Sequence, residues 1–257
     1  MTIDRPVPAR FGVAAAAAAA ALLALGAPAA FGQAMSGRVD RDGDGGRMTM
    51  VMPGSETDPD RAVNEELTFE PWEMVEALAR DDVVFLMRHG PTDWSFRDVA
   101  GVRPDDCGNQ RIMTEEGRRQ MYELGALLVA NDLTPGRIVV SQWCRNQQTL
   151  ESMREGMLDA DPAALEGVEV DTMADLNLLL SLNGAPNVTA MRDFMAAWDG
   201  GDGDGPLLVI SHFTNIQELT ELAVFEGQML VLDPRERNRV LGTLRLGSAA
   251  PDVGHFE

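Results

Sequence analysis

The sequence predicts an α/β protein, a three-layer α/β/α sandwich with a mainly parallel central sheet. Three observations lead there. Residues 83–87, 137–140 and 207–210 are short, continuous apolar runs, the pattern of strands buried on both faces. Segments of helical periodicity lie between them, as alternating strand and helix require. Each run ends on polar residues, where open parallel sheets carry their ligand crevices.

Taken in order, the chain opens with Arg5 and Arg10 ahead of an alanine-rich apolar stretch over residues 11–30, with small residues at Ala27, Ala29, Gly32 and Ala34. Residues 1–34 therefore read as a cleaved export signal, which predicts a periplasmic or secreted protein. The alternative is a retained anchor, since about 20 apolar residues span a bilayer; after cleavage no stable membrane span remains. Residues 35–61, rich in Gly, Asp, Met, Arg and Pro, read as a flexible acidic linker. Asp40, Asp42 and Asp44 imitate the start of a calcium loop, but its twelfth position falls on Val51 where a glutamate is needed, so no metal site is expected.

Residues 62–257 form the predicted folded domain. Thr114 can cap a helix carrying Met121, Leu124 and Leu128 on one stripe, with Glu115 and Glu116 in its first turn. Leu150, Met153 and Met157 mark a second helix. Asn187 can cap a third, carrying Val188, Met191, Met195 and Trp198. A fourth is predicted from about residue 215 to 224, and residues 229–232 and 240–246 supply outer strands.

Composition removes whole classes of chemistry. All 21 cations are arginine, which excludes a Schiff-base lysine, a Walker-type phosphate loop and a kinase-type strand lysine. Three histidines and two cysteines are too few soft ligands for a zinc ribbon or an iron–sulfur cluster, and no cofactor is implied. A formal net charge of -20 opposes non-specific binding to nucleic acid or an anionic membrane.

The strand ends carry the positive information. The first run leads into Arg88-His89-Gly90, the second into Ser141-Gln142-Trp143-Cys144-Arg145, the third into Ser211-His212 with Asn215 just beyond. At equivalent ends of a sheet these segments put two guanidiniums and two imidazoles around one crevice. The natural guest of such a pocket is a phosphoryl group, which arginine forks grip by paired hydrogen bonds. Cys107 and Cys144 are either a disulfide favoured by export or two packed thiols.

These residues also carry a resemblance. Arg88-His89-Gly90-Pro91-Thr92 resembles the signature of the histidine phosphatase superfamily, which includes the phosphoglycerate mutase-like proteins. The helix start from Ile112 to Gln120, the Ser141 to Thr149 segment and Ser211-His212 resemble its other segments in the same order, and Asp106 to Arg111 is similar to a branch of secreted bacterial members. The resemblance implies that His89 is the nucleophile, forming a phosphohistidine, and that Arg88, Arg145 and His212 hold the phosphoryl oxygens. Gln110 and Asn215, within the quoted segments, are the further candidates for binding a small phosphorylated substrate. Neutral His89 must keep one ring nitrogen bare and have its tautomer fixed at the other.

One departure stands out. Family members usually place a glutamate in the central insertion or an aspartate after the second histidine; here Asn177 and Phe213 stand near those places. Asp93, Asp98, Asp105, Asp106 and Glu218 remain candidate proton donors. The expected function is an exported phosphohydrolase acting on a phosphomonoester or an activated phosphoryl substrate. The alternatives are a phospholigand-binding pseudoenzyme and, more weakly supported, a mutase.

Overall fold

The protein is described from a computed structural model over residues 36–51, 63–201 and 205–251; the export signal read at residues 1–34 lies outside them. Among the described residues nine strands run in chain order as β1 (Ser36–Asp42), β2 (Gly45–Val51), β3 (Leu67–Glu70), β4 (Val84–Arg88), β5 (Arg137–Ser141), β6 (Glu169–Met173), β7 (Leu207–Ser211), β8 (Met229–Asp233) and β9 (Arg239–Leu246). The helices are α1 (Val75–Leu78), α2 (Glu115–Ala130), α3 (Cys144–Ala160), α4 (Thr189–Ala196) and α5 (Phe213–Thr220).

The central strands feed two cores at once. Phe85, Met87, Ile138, Val140, Leu208 and Ile210 pack on one face of the sheet with α2 and α3, while Val84, Leu86, Val139, Leu207 and Val209 pack on the other with α4 and α5. The two-residue repeat of a strand makes that division automatic and produces the three layers. α2 starts where predicted, with Thr114 Oγ1 accepting from the Gly117 amide at 2.9 Å. Close packing of α2 on α3 depends on Gly125 and Gly156, because a Cβ at either would collide with a backbone carbonyl of the other helix, that of Met153 or of Tyr122.

Two expectations are corrected. The sheet order is β1-β2-β3-β9-β8-β4-β7-β5-β6, and only β4, β7, β5 and β6 are mutually parallel. The other pairings are antiparallel, so the sheet is mixed rather than mainly parallel. Continuous apolarity reported burial of both faces, which β8 shares although it runs against β4. Second, residues 36–51, expected as linker, form a hairpin on the sheet edge. Met48 turns inward to the core containing Leu67 and Phe69, and of the calcium-like aspartates Asp40 and Asp42 lie on β1 while Asp44 is in the two-residue turn Gly43–Asp44. Glu123 of α2 accepts from the amides of Asn64 and Glu65 at 2.9 and 2.8 Å, fixing the approach to β3. Among the described residues no helix is long and apolar enough to cross a membrane.

Candidate active site

β4, β7 and β5 are neighbours running the same way, with Arg88 in register with Ser211 and Val140 with Ile210. Their carboxyl ends therefore deliver Arg88, His89, His212 and Arg145 to the wall of one pocket of about 570 Å³. Arg111, Asp98 and Trp94 join them there.

His89 is oriented by its own neighbour. Nδ1 lies 3.0 Å from the Gly90 carbonyl, which can only accept, so Nδ1 carries the proton and Nε2 keeps its lone pair. Gly90 is sterically required here: a Cβ would lie 2.5 Å from Met121 Cγ, and its amide donates to Thr149 Oγ1 at 2.8 Å. Burial holds the His89 pKa well below its ordinary value, and Arg145, Arg88, His212 and Arg111 reinforce this.

His212 packs edge-on against His89, ring centroids 5.7 Å apart. Its Nε2 is 3.0 Å from Ser141 Oγ, whose proton goes to Asn177 Oδ1 at 3.0 Å. Ser141 thus accepts from Nε2–H, and the neutral ring presents a bare Nδ1, which has no partner among the described residues. Burial, then Arg145, Arg88 and Arg111, keeps this ring neutral too. A phosphoryl dianion would reverse the balance, and a protonated His212 would then donate from Nδ1.

Three arginines share two carboxylates. Arg145 Nη1 lies 3.1 and 3.2 Å from the two oxygens of Asp98. Arg88 donates to the Val224 carbonyl at 2.9 Å and approaches Glu226 at 3.4 Å. Arg111 stacks on Trp94, 3.5 Å from the ring centroid, and its pKa is lowered to about 10, chiefly by burial. Glu226 is clamped by the Thr92 hydroxyl at 2.5 Å, the Thr92 amide at 3.1 Å and Trp94 Nε1 at 3.3 Å. Arg111 Nη1 and Arg145 Nε are buried donors with no protein acceptor among the described residues. An unmade buried hydrogen bond costs about 1–3 kcal/mol, so both donors favour an anionic oxygen in the pocket.

The structure brings together four of the six predicted site residues. Gln110 and Asn215 do not line the pocket. Gln110 donates to the carbonyls of Arg103 and Pro104 at 2.8 and 2.7 Å and accepts from the Cys144 amide at 3.1 Å. Asn215 donates to the Asn177 carbonyl at 2.9 Å and accepts from the Leu179 amide at 3.3 Å. Both are backbone clamps for the loops that carry the site. The disulfide is formed: Cys107 and Cys144 are bridged, Cα atoms 5.5 Å apart, tying the Arg111 loop to the first turn of α3 beside Arg145.

None of the candidate proton donors is poised. Asp93 is held anionic by hydrogen bonds from the Ser95 hydroxyl and amide. Asp98 is paired with Arg145, Asp105 with Arg103, and Asp106 accepts from Asn109. Asp105, Asp106 and Glu218 do not line the pocket. Phe213 lies under Arg88, 5.2 Å from ring centroid to guanidinium, and Asn177 is spent on Ser141 and Gln142. Sequence reasoning missed Arg111 and Glu226. Arg111 sat at the end of a quoted segment, whereas Glu226 meets Thr92 across 134 residues and leaves no local signal.

The histidine phosphatase superfamily (branch 1) family model matches residues 84–170, which hold β4, α2, β5 and α3. Among solved structures, the protein histidine phosphatase SixA bound to tungstate is similar at 18% identity and TM-score 0.44, covering 63% of this chain and 96% of its own. A mycobacterial glucosyl-3-phosphoglycerate phosphatase is similar at 16% identity and TM-score 0.38, covering 59% and 89%. Phosphoglycerate mutase from Plasmodium falciparum is similar at 18% identity and TM-score 0.39, covering 62% and 87%. No curated protein matches the chain by sequence.

Proposed function

We propose that the chain is a phosphohydrolase of the histidine phosphatase superfamily, whose family model matches residues 84–170, and that it works through a phosphohistidine on His89. The observation that carries the reading is the Nδ1 hydrogen bond to Gly90, which leaves a bare, neutral Nε2 among three guanidiniums. In the first step Nε2 attacks phosphorus, the N–P bond forms, and the P–O bond to the leaving group breaks with its electron pair going to that oxygen. In the second, water forms the new O–P bond, the N–P pair returns to Nε2 and the water proton passes to solvent. Arg88, Arg111 and Arg145 stabilise the equatorial oxygens, where most catalysis of phosphoryl transfer resides. Protonated His212 adds a fourth donor.

Export to an oxidising compartment is part of the same reading and is supported by the Cys107–Cys144 bridge. The test is chemical. A labelled phosphoryl donor should leave acid-labile, alkali-stable label on the wild type and none on His89→Ala. Near-normal hydrolysis by His89→Ala would overturn the mechanism. Tight phosphate binding without turnover would favour a phospholigand-binding protein instead.

A further inference from the structure

The floor of the pocket is charged, and its rim is largely apolar. Beside the arginines and histidines the pocket is lined by Trp94, Phe96, Leu178, Leu180 and Phe213. Of these, Leu180 is 82% exposed and Phe96 43%, and Leu182, on the same loop as Leu180, is 90% exposed. Large apolar side chains grouped in the open at the mouth of a polar site mark a binding surface.

The rim is already built. Asn183 Nδ2 donates to the carbonyls of Gly101 and Val102 at 3.1 and 3.0 Å, locking the Leu180 loop to the Phe96 loop. Trp94 is fixed between the Arg111 guanidinium and Glu226. Polar groups at this level are few: Arg97 is exposed, and the Thr214 hydroxyl is 3.2 Å from Asn215 Oδ1. A sugar or other hydroxyl-rich leaving group would find little here to bond.

A second, independent observation concerns the proton. Asp98 and Glu226 are both engaged with arginines and hydrogen-bond donors, so neither is free to protonate a departing alkoxide. General acid catalysis matters most for basic leaving groups and least for a phenolate, which departs unprotonated.

We propose that the rim is a subsite for an aromatic leaving group, so that the substrate is an aryl phosphomonoester. Its turnover rests on the phosphohydrolase reading; its binding preference does not. The test is therefore calorimetric binding of non-hydrolysable 2-naphthylphosphonate and methylphosphonate to the full chain, beside hydrolysis of 2-naphthyl phosphate. The naphthyl ligand should bind about tenfold tighter or more, since even one methylene in an apolar pocket is worth roughly that factor. In the double variant Phe96→Ser/Leu180→Ser the ratio of the two affinities should fall toward one; both residues are exposed, so the fold survives. A ratio near one in the wild type, or one untouched by the double variant, overturns the subsite. So does a preference for phosphonoacetate that disappears in Arg97→Ala, which would assign the rim to a charged group. An aryl preference in binding without any hydrolysis would instead sink the phosphohydrolase reading and leave the subsite standing.

Discussion

Acidification from about pH 6.5 to 5 should destabilise this protein through two imidazoles. His89 and His212 are held neutral in the native state, their pKa values well below the ordinary one because they are buried among Arg88, Arg111 and Arg145. In the unfolded chain both take up a proton near pH 6.5. Below that pH the unfolded state binds more protons than the native one, so the stability is complete above about pH 6.5 and is lost as pH falls toward the native pKa values. Each imidazole contributes a slope of about 1.36 kcal/mol per pH unit, and the pair about 2.7. The carboxylates of the unfolded chain take up protons only below about pH 5. Urea unfolding followed by circular dichroism at several pH values between about 6.5 and 5 reads the slope directly. His89→Asn should halve it, and saturating phosphate, which favours protonated His212, should reduce it. A slope below one proton, or stability that rises on acidification, would refute the assignment of two neutral rings.

The same geometry sets three further outcomes. Arg145→Lys should lose on the order of 10²-fold or more in kcat/KM, because a single ammonium cannot both hold Asp98, as Nη1 does, and offer a second donor such as Nε to the phosphoryl group; folded protein with unchanged turnover would make the arginine structural. Removing the bridge with Cys107→Ser and Cys144→Ser should cost about 3–4 kcal/mol by the chain-entropy relation for a separation of 37 residues, and turnover should fall with it because Arg145 follows the bridge directly. Denaturant titration with and without reductant checks the first part. Gly156→Ala should destabilise by about 1–3 kcal/mol or more through overlap with the Tyr122 carbonyl, with a shifted urea midpoint as the readout.

What could be read from the sequence was whatever lay next to a strand end. Arg88, His89, Arg145 and His212 were visible because each follows a buried run by a residue or a few, and the sheet brings those runs together. The neighbourhood misled for Gln110 and Asn215, since position along the chain does not tell which way an amide points, and both point at backbone. Glu226 was invisible because its role exists only through partners distant in sequence, Thr92, Trp94 and Arg88. Strand direction was also hidden: β8 is as apolar as β4 yet antiparallel to it. The β1–β2 hairpin escaped because its strands carry exposed pairs such as Arg38–Asp40, and its inward residue Met48 is understood only beside Leu67 and Phe69.

The placement of the arginines has a kinetic meaning. Arg88 and Arg145 sit buried in the pocket and Arg111 partly so, with Asp98 and Glu226 beside them, inside a chain whose formal charge is -20. At distance, an approaching phosphate feels the negative exterior; only within the mouth does it meet the guanidiniums. Encounter is therefore retarded by long-range repulsion and capture is decided at short range, the reverse of electrostatic steering. Added salt, by shortening a Debye length of about 10 Å at 0.1 M, should screen the repulsion more than the buried contacts and raise the association rate. Of the phosphate esters that reach such a mouth, those with an uncharged remainder meet the lowest barrier.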